Sequence, residues 1–171
     1  KEIKKEFTEQ QIHDQIKEYG QGFIPVREKI RVLYLDDEID ELESFQSLYR
    51  RIFKVFIASD PQVARDIVAK EDLHVILTDQ RMDAMSGVQF LDSIIEDFPE
   101  PVRILVTGYS DISAVISSIN VGQVYKYISK PYPREAMQKS IENAAEVFNL
   151  RRDREQLVQK LVRACSQLEL L

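Results

Sequence analysis

Between residues 31 and 149 the chain repeats one unit five times: a short apolar run rich in β-branched residues, then a stretch with helical spacing. The strand-like runs are Arg31–Leu35, Lys54–Ala58, His74–Thr78, Arg103–Val106 and Val124–Ile128. The helical patterns are Ile39–Arg51, Pro61–Ala69, Ser86–Asp97, Asp111–Ile119 and Pro133–Leu150. Strands that alternate with helices cannot pair as hairpins. They lie parallel, joined by right-handed crossovers, and need helices on both faces of the sheet. That constraint leaves few folds for a chain of 171 residues.

The pattern predicts an α/β fold with a flavodoxin-like five-stranded parallel sheet in the order 2-1-3-4-5. The switch point of such a sheet lies between its first and third strands, and strand C-termini there line one crevice. Four polar segments fall at strand ends: Leu35-Asp36-Asp37, Thr78-Asp79, Val106-Thr107-Gly108 and Ser129-Lys130-Pro131. Asp36, Asp37, Asp79, Thr107 and Lys130 are thereby expected to converge. Carboxylates held close repel one another unless a cation intervenes. Mg²⁺ takes oxygen ligands and favours one or two carboxylates plus a phosphoryl oxygen. Asp79 suits a nucleophile that forms an aspartyl phosphate. Lys130 supplies an ammonium, Thr107 a hydroxyl, and Gly108 room for close approach. Taken singly, Asp36 or Asp37 also reads as the cap of the first helix.

Charge and composition narrow the partners. The first thirty residues balance, and residues 150–171 carry five basic against three acidic side chains. The net charge of −6 is therefore concentrated as −8 in residues 31–149. Phosphate contacts need lysine and arginine, so no nucleic-acid surface is expected in this segment. No apolar stretch reaches the roughly 18–20 residues of a membrane span. The charged start, Lys1-Glu2-Ile3-Lys4-Lys5, has no apolar core behind it and does not read as a signal peptide. Without a methionine it points to a fragment or a processed chain. The lone cysteine, Cys165, excludes an internal disulfide and fits a cytoplasmic setting. His13 and His74 with one distant cysteine do not make a zinc site.

Three regions follow: 1–30, 31–149 and 150–171. In the first, Thr8 with Gln11 reads as a capping box, Ile12, Ile16 and Tyr19 as a partial stripe, and Gly20 as a stop. This N-terminal helix either packs on the protein or links it to an upstream domain. The last helix has no glycine or proline to end it at residue 150. Val147, Leu150, Arg154, Leu157, Leu161, Ala164, Leu168 and Leu171 recur in steps of three and four. A parallel homodimeric coiled coil buries that seam; the alternative is a helix folded back on its own domain or paired with an output domain. Arg154 is the single polar seam position.

These residues resemble the receiver domain of two-component response regulators from Arg31 to about Leu150. The likeness rests on the acidic pair Asp36-Asp37, Asp79, Thr107-Gly108, Tyr127 and Lys130-Pro131, in the family's order and spacing. Thr107-Gly108-Tyr109-Ser110-Asp111 and Tyr125 to Pro131 look like receivers joined to HD-type phosphodiesterases or transcription activators. The resemblance implies that Asp79 accepts phosphate from a sensor histidine kinase or phosphotransfer protein. It implies that Asp37 binds Mg²⁺ directly, Asp36 directly or through water, and that the Arg81 carbonyl is a further ligand. Lys130 would pair with the phosphoryl group, Thr107 and Tyr127 would form the switch, and Pro131 would follow a cis bond. The sequence departs from the family at Asp83, where receivers usually place proline; this is expected to loosen the loop. A phosphatase with an aspartate nucleophile would need a second aspartate where Arg81 stands. An unphosphorylated dimerisation scaffold would not need the intact set. The expectation is therefore a signalling switch, not an enzyme.

Overall fold

The computed structural model describes residues 28–108, 116 and 123–169, with residues 168 and 169 described by backbone alone. Its sheet is built from β1 (Arg31–Leu35), β2 (Lys54–Ala58), β3 (Val75–Asp79), β4 (Val102–Gly108) and β5 (Lys126–Lys130). Helix α1 (Ile39–Tyr49) follows β1, α2 (Pro61–Lys70) follows β2, α3 (Gly87–Ile94) follows β3 and α4 (Arg134–Glu169) follows β5. The strand order is 2-1-3-4-5 and every pairing is parallel, as the pattern predicts. The expected N-terminal helix lies outside the described residues. So does the helix expected over Asp111–Ile119, apart from Ile116.

Element ends differ from the pattern where hydrogen bonding and hydrophobicity part company. β4 runs two residues past its apolar stretch because Thr107 and Gly108 continue the ladder opposite Ser129 and Lys130. Ladder bonds need only the main chain, so polar residues extend a strand that hydrophobicity alone would end. α1 stops at Tyr49, short of Arg51. There the N–H groups of Ile52 and Phe53 both turn onto the Tyr49 carbonyl, at 2.9 Å each, and close the helix tightly.

Helix starts follow local chemistry. Asp60 caps α2 by accepting from Gln62 N at 2.8 Å and Val63 N at 3.3 Å, with Pro61 in the first turn. Ser86 and Gln89 form a reciprocal capping box at α3. α1 has no side-chain cap from Glu38. Neither Asp36 nor Asp37 is its cap residue, so the capping alternative for that pair is set aside. Asp36 instead accepts from Glu38 N one residue earlier, at 2.9 Å.

The sheet divides the core into two layers. Successive residues of a strand face opposite sides, so Val32 and Tyr34 join Leu42, Phe45, Tyr49, Met137, Ile141 and Phe148 on the α1–α4 face. Leu33 and Leu35 join Ala64, Val68, Phe90, Leu91 and Ile94 on the α2–α3 face. Both faces are covered, which is why the central strands read as unbroken apolar runs.

α4 continues through residue 150 as one helix of 36 residues, about 54 Å long. Ile141, Ala144, Ala145 and Phe148 pack on the sheet. Val147, expected to open the seam, is partly buried against the same core, because it lies beside Phe148 on the domain side. The outward stripe therefore begins at Leu150. Leu150, Leu157 and Leu161 are 62%, 58% and 57% exposed, with Val158 and Val162 beside them. Leu168 and Leu171 fall outside the described side chains. Among the described residues no helix is long and apolar enough to cross a membrane.

Gly87 admits α3 to the sheet. A Cβ there would stand 2.2 Å from the Asp79 carbonyl oxygen and 2.8 Å from Leu105 Cδ1. Gly87 N also donates to the Gln80 carbonyl at 3.0 Å, which pins the helix start to the end of β3. Gly87→Ala is expected to cost about 1–3 kcal/mol of stability, read as a lower urea midpoint with an unchanged m-value.

Candidate functional site

Register brings the polar strand ends together. Leu35 pairs with Thr78, so Asp36 and Asp79 emerge side by side from β1 and β3. Gln80 N closes the β3 end on the Val106 carbonyl at 3.0 Å, and Gly108 pairs with Lys130. Lys130 reaches across the top of the sheet. Its Nζ lies 2.9 Å from Asp36 Oδ2 and 3.0 Å from Asp79 Oδ1. Asp36 is 1% exposed and Asp79 7% exposed.

Asp36 is the anchor of this group. Its Oδ2 also accepts from the Tyr34 hydroxyl at 2.7 Å, while Oδ1 takes Glu38 N. A buried carboxylate is tolerable only when paired and hydrogen-bonded, and these three donors satisfy that condition. Asp79 Oδ2 accepts from Arg81 N at 2.8 Å. The three carboxylates do not close into one cluster. Asp36 and Asp37 are consecutive, so one turns inward and the other to the exposed rim. Among the described residues no set of three histidine, cysteine or acidic side chains forms a metal cage by itself.

The protonation balance follows from this packing. Burial pushes the Asp79 carboxyl above its ordinary value, with the Asp36 charge adding to the rise; hydrogen bonding and charge from Lys130 work against both. Burial pulls the Lys130 ammonium down, but the hydrogen bonds and charges of Asp36 and Asp79 outweigh it and hold the group above the usual lysine range. Burial, then the neighbouring Asp36 charge, raises the Tyr34 phenol.

The remaining expected residues are placed as follows. Thr107 is buried on β4 with its hydroxyl donating to the Gly108 carbonyl at 3.3 Å. Tyr127, on the edge strand, is 37% exposed. The Lys130–Pro131 bond is cis. Arg81 is exposed in the loop after β3, and Tyr109 lies outside the described residues. Asp83 does not simply loosen that loop: its N–H donates to Asp37 Oδ2 at 2.9 Å, a bond proline cannot make.

Two contributors escape a reading of motifs. Tyr34 sits two residues before Asp36, on the same side of β1. A polar-tipped aromatic at that offset from a buried acid is the signal that points to it. Gln80 holds α3 by accepting Val88 N on its side-chain oxygen at 3.2 Å; nothing in its local sequence marks this. His74 is held inside the fold. Its Nδ1 accepts Arg31 N at 3.1 Å, its ring stands edge-on to Phe148, and burial lowers its pKa.

Residues 32–142 match the response regulator receiver domain. The chain belongs to that family. This receiver is similar to the hydrogenase transcriptional regulatory protein HoxA of Bradyrhizobium diazoefficiens, at 32% identity over 72% of this chain and 26% of the relative. A second HoxA, from Cupriavidus necator, is 33% identical over 74% of this chain and 26% of its own length. The chain thus spans about a quarter of the length of these curated relatives. Among solved structures, the signal receiver domain of an HD domain-containing protein from Pseudomonas fluorescens Pf-5 superposes with a TM-score of 0.71. It is 25% identical and covers 78% of this chain and 98% of its own.

For this receiver the raised Asp79 pKa has a definite sign. The folded chain holds the Asp79 proton more tightly than the unfolded chain, so stability falls as pH rises from the ordinary carboxylate value through the raised one. Asp79→Asn removes that penalty. The variant is expected to melt above the wild type at neutral pH, with the gap closing as pH falls below about 4, by thermal denaturation across a pH series.

Proposed function

We propose that this receiver is a cytoplasmic phosphoacceptor, and that Asp79 is the residue phosphorylated. The observation that carries the reading is the Lys130 ammonium held between Asp36 and Asp79 at 2.9 and 3.0 Å, where a phosphoryl group on Asp79 would need its charge met. An Asp79 carboxylate oxygen attacks the phosphorus of a phosphohistidine on a sensor kinase or phosphotransfer protein. The O–P bond forms as the N–P bond breaks, and the imidazole leaves. Lys130 then pairs with the phosphoryl oxygens as well as with Asp36.

The donor set fits Mg²⁺: an exposed carboxylate at Asp37, the Asp79 carboxylate and the Arg81 carbonyl, all oxygens, with room for water at the rim. Bound there, the cation would neutralise charge on the phosphoryl group. Asp36 already accepts from Tyr34, Glu38 and Lys130, so it would act through water rather than as a direct ligand. Thr107 exchanges its weak bond to the Gly108 carbonyl for a phosphoryl oxygen, and Tyr127 turns inward behind it. These are two arrangements biased by one local charge event.

Residues 31–149 carry this chemistry, and residues 150–171 relay it. The exposed stripe of Leu150, Leu157 and Leu161 has the seven-residue spacing of a coiled coil, with Arg154 as its polar seam position. A second copy, parallel, covers it. The paired helices pass the state of the site to an output domain, and no turnover of a substrate is involved.

Acetyl phosphate with Mg²⁺ is expected to add one phosphate mass to the wild type and none to Asp79→Asn, read by intact-protein mass spectrometry. An unmodified wild type would instead favour a scaffold that keeps only the fold. Sedimentation of the wild type is expected to give a dimer, and of Leu157→Glu with Leu161→Glu a monomer. A monomeric wild type at high micromolar concentration would remove the coiled coil.

A further inference from the structure

Asp36 and Asp37 are neighbours in sequence but are held in opposite ways. Asp36 is buried and saturated by donors from its own strand, the following turn and β5. Asp37 is exposed, and its Oδ2 takes the main-chain N–H of Asp83, 46 residues away, at 2.9 Å. Asp83 belongs to the loop between β3 and α3. Both ends of that loop are tied down: Gln80 N on the Val106 carbonyl, Arg81 N on Asp79 Oδ2, and the Gln80 oxygens on Gly87 N and Val88 N. Met82 to Met85 span the interval, and the Asp83 bond joins that span to the end of β1.

We infer that the Asp83 amide and a divalent cation compete for the Asp37 carboxylate, so that cation binding releases the loop from β1. The inference rests on the cation site proposed above. Mg²⁺ demands near-ideal octahedral geometry at about 2.0–2.1 Å. A carboxylate whose position is set by an N–H donor must reorient to meet it. The cation also draws electron density from the oxygen that accepts the hydrogen bond, which weakens that bond. The amide is a competitor only because residue 83 is not proline. The loop so released carries the Arg81 carbonyl and leads into α3, so its position becomes a readout of cation occupancy before any phosphoryl transfer.

The test uses the whole chain and Mg²⁺ alone. In ¹⁵N-resolved NMR of the wild type, the Asp83 amide proton is expected to move upfield along the binding curve that calorimetry gives for Mg²⁺. Two variants separate the amide from the acid: Asp83→Ala keeps the N–H and loses the charge, while Asp83→Pro loses both. Asp83→Pro is expected to bind Mg²⁺ about fivefold more tightly than Asp83→Ala, the scale of one exposed hydrogen bond to a charged acceptor. An Asp83 amide unmoved at saturation, or equal affinities in the two variants, overturns the competition while leaving the cation site standing. The NMR arm needs no substitution, so a misfolded proline variant does not rescue the idea. Asp37→Ala tests the foundation: Mg²⁺ affinity unchanged in that variant would sink the cation site, and the competition with it.

Discussion

Lys130 stands between two carboxylates that would otherwise repel each other inside the protein. Asp36 and Asp79 both lie in the buried mouth of the sheet, and neither position is easily held by a bare charge. One ammonium within hydrogen-bond reach of both makes the pair possible. It also joins the edge strand β5 to the two central strands at the end where the crevice opens. Removing Lys130 would leave two buried carboxylates without their counter-charge, which is far costlier than losing an exposed ion pair. The Tyr34 hydroxyl completes the arrangement from below, and its burial keeps it a donor.

Most of the remaining architecture serves to hold that end of the sheet still. α3 begins directly against β3, because Gly87 lets its first turn lie on the Asp79 carbonyl and Gln80 accepts two of its N–H groups. The Asp79 carboxylate is thus braced from behind by helix and from the side by Lys130. The rim is freer. Asp37 and the 81–86 loop meet through one main-chain hydrogen bond, and Tyr127 is outward on the edge strand. A hydrogen-bonded, buried interior and an exposed rim sit within one crevice.

The opposite end of the sheet ties the domain to its long helix. Arg152 lies just beyond the last sheet-packing turn of α4. Its guanidinium reaches Asp72 at 3.2 Å and sits 5.4 Å from the Phe148 ring centroid. Asp72 is shared with Arg31 of β1, and the Phe148 ring meets His74. Exposed ion pairs contribute little singly. Their consequence here is geometric, since they fix the direction in which the helix leaves the domain.

Hydrophobic periodicity was enough to read the five strands, their order and the described helices, because both periods are set by local geometry and need no knowledge of partners. The same applies to the residues at the strand ends: in a parallel sheet with fixed crossovers, a polar residue after an apolar run can only be at the crevice. What the linear order could not settle was which carboxylate faces which way. Asp36 and Asp37 are chemically identical, and only packing made one a buried anchor and the other an exposed carboxylate bound to the Asp83 amide. Gln80 and the partial burial of Val147 were likewise decided in three dimensions. Each depends on a neighbour brought close by the fold, from a distant stretch of chain or from across a layer, and spacing along a strand or helix carries no record of it.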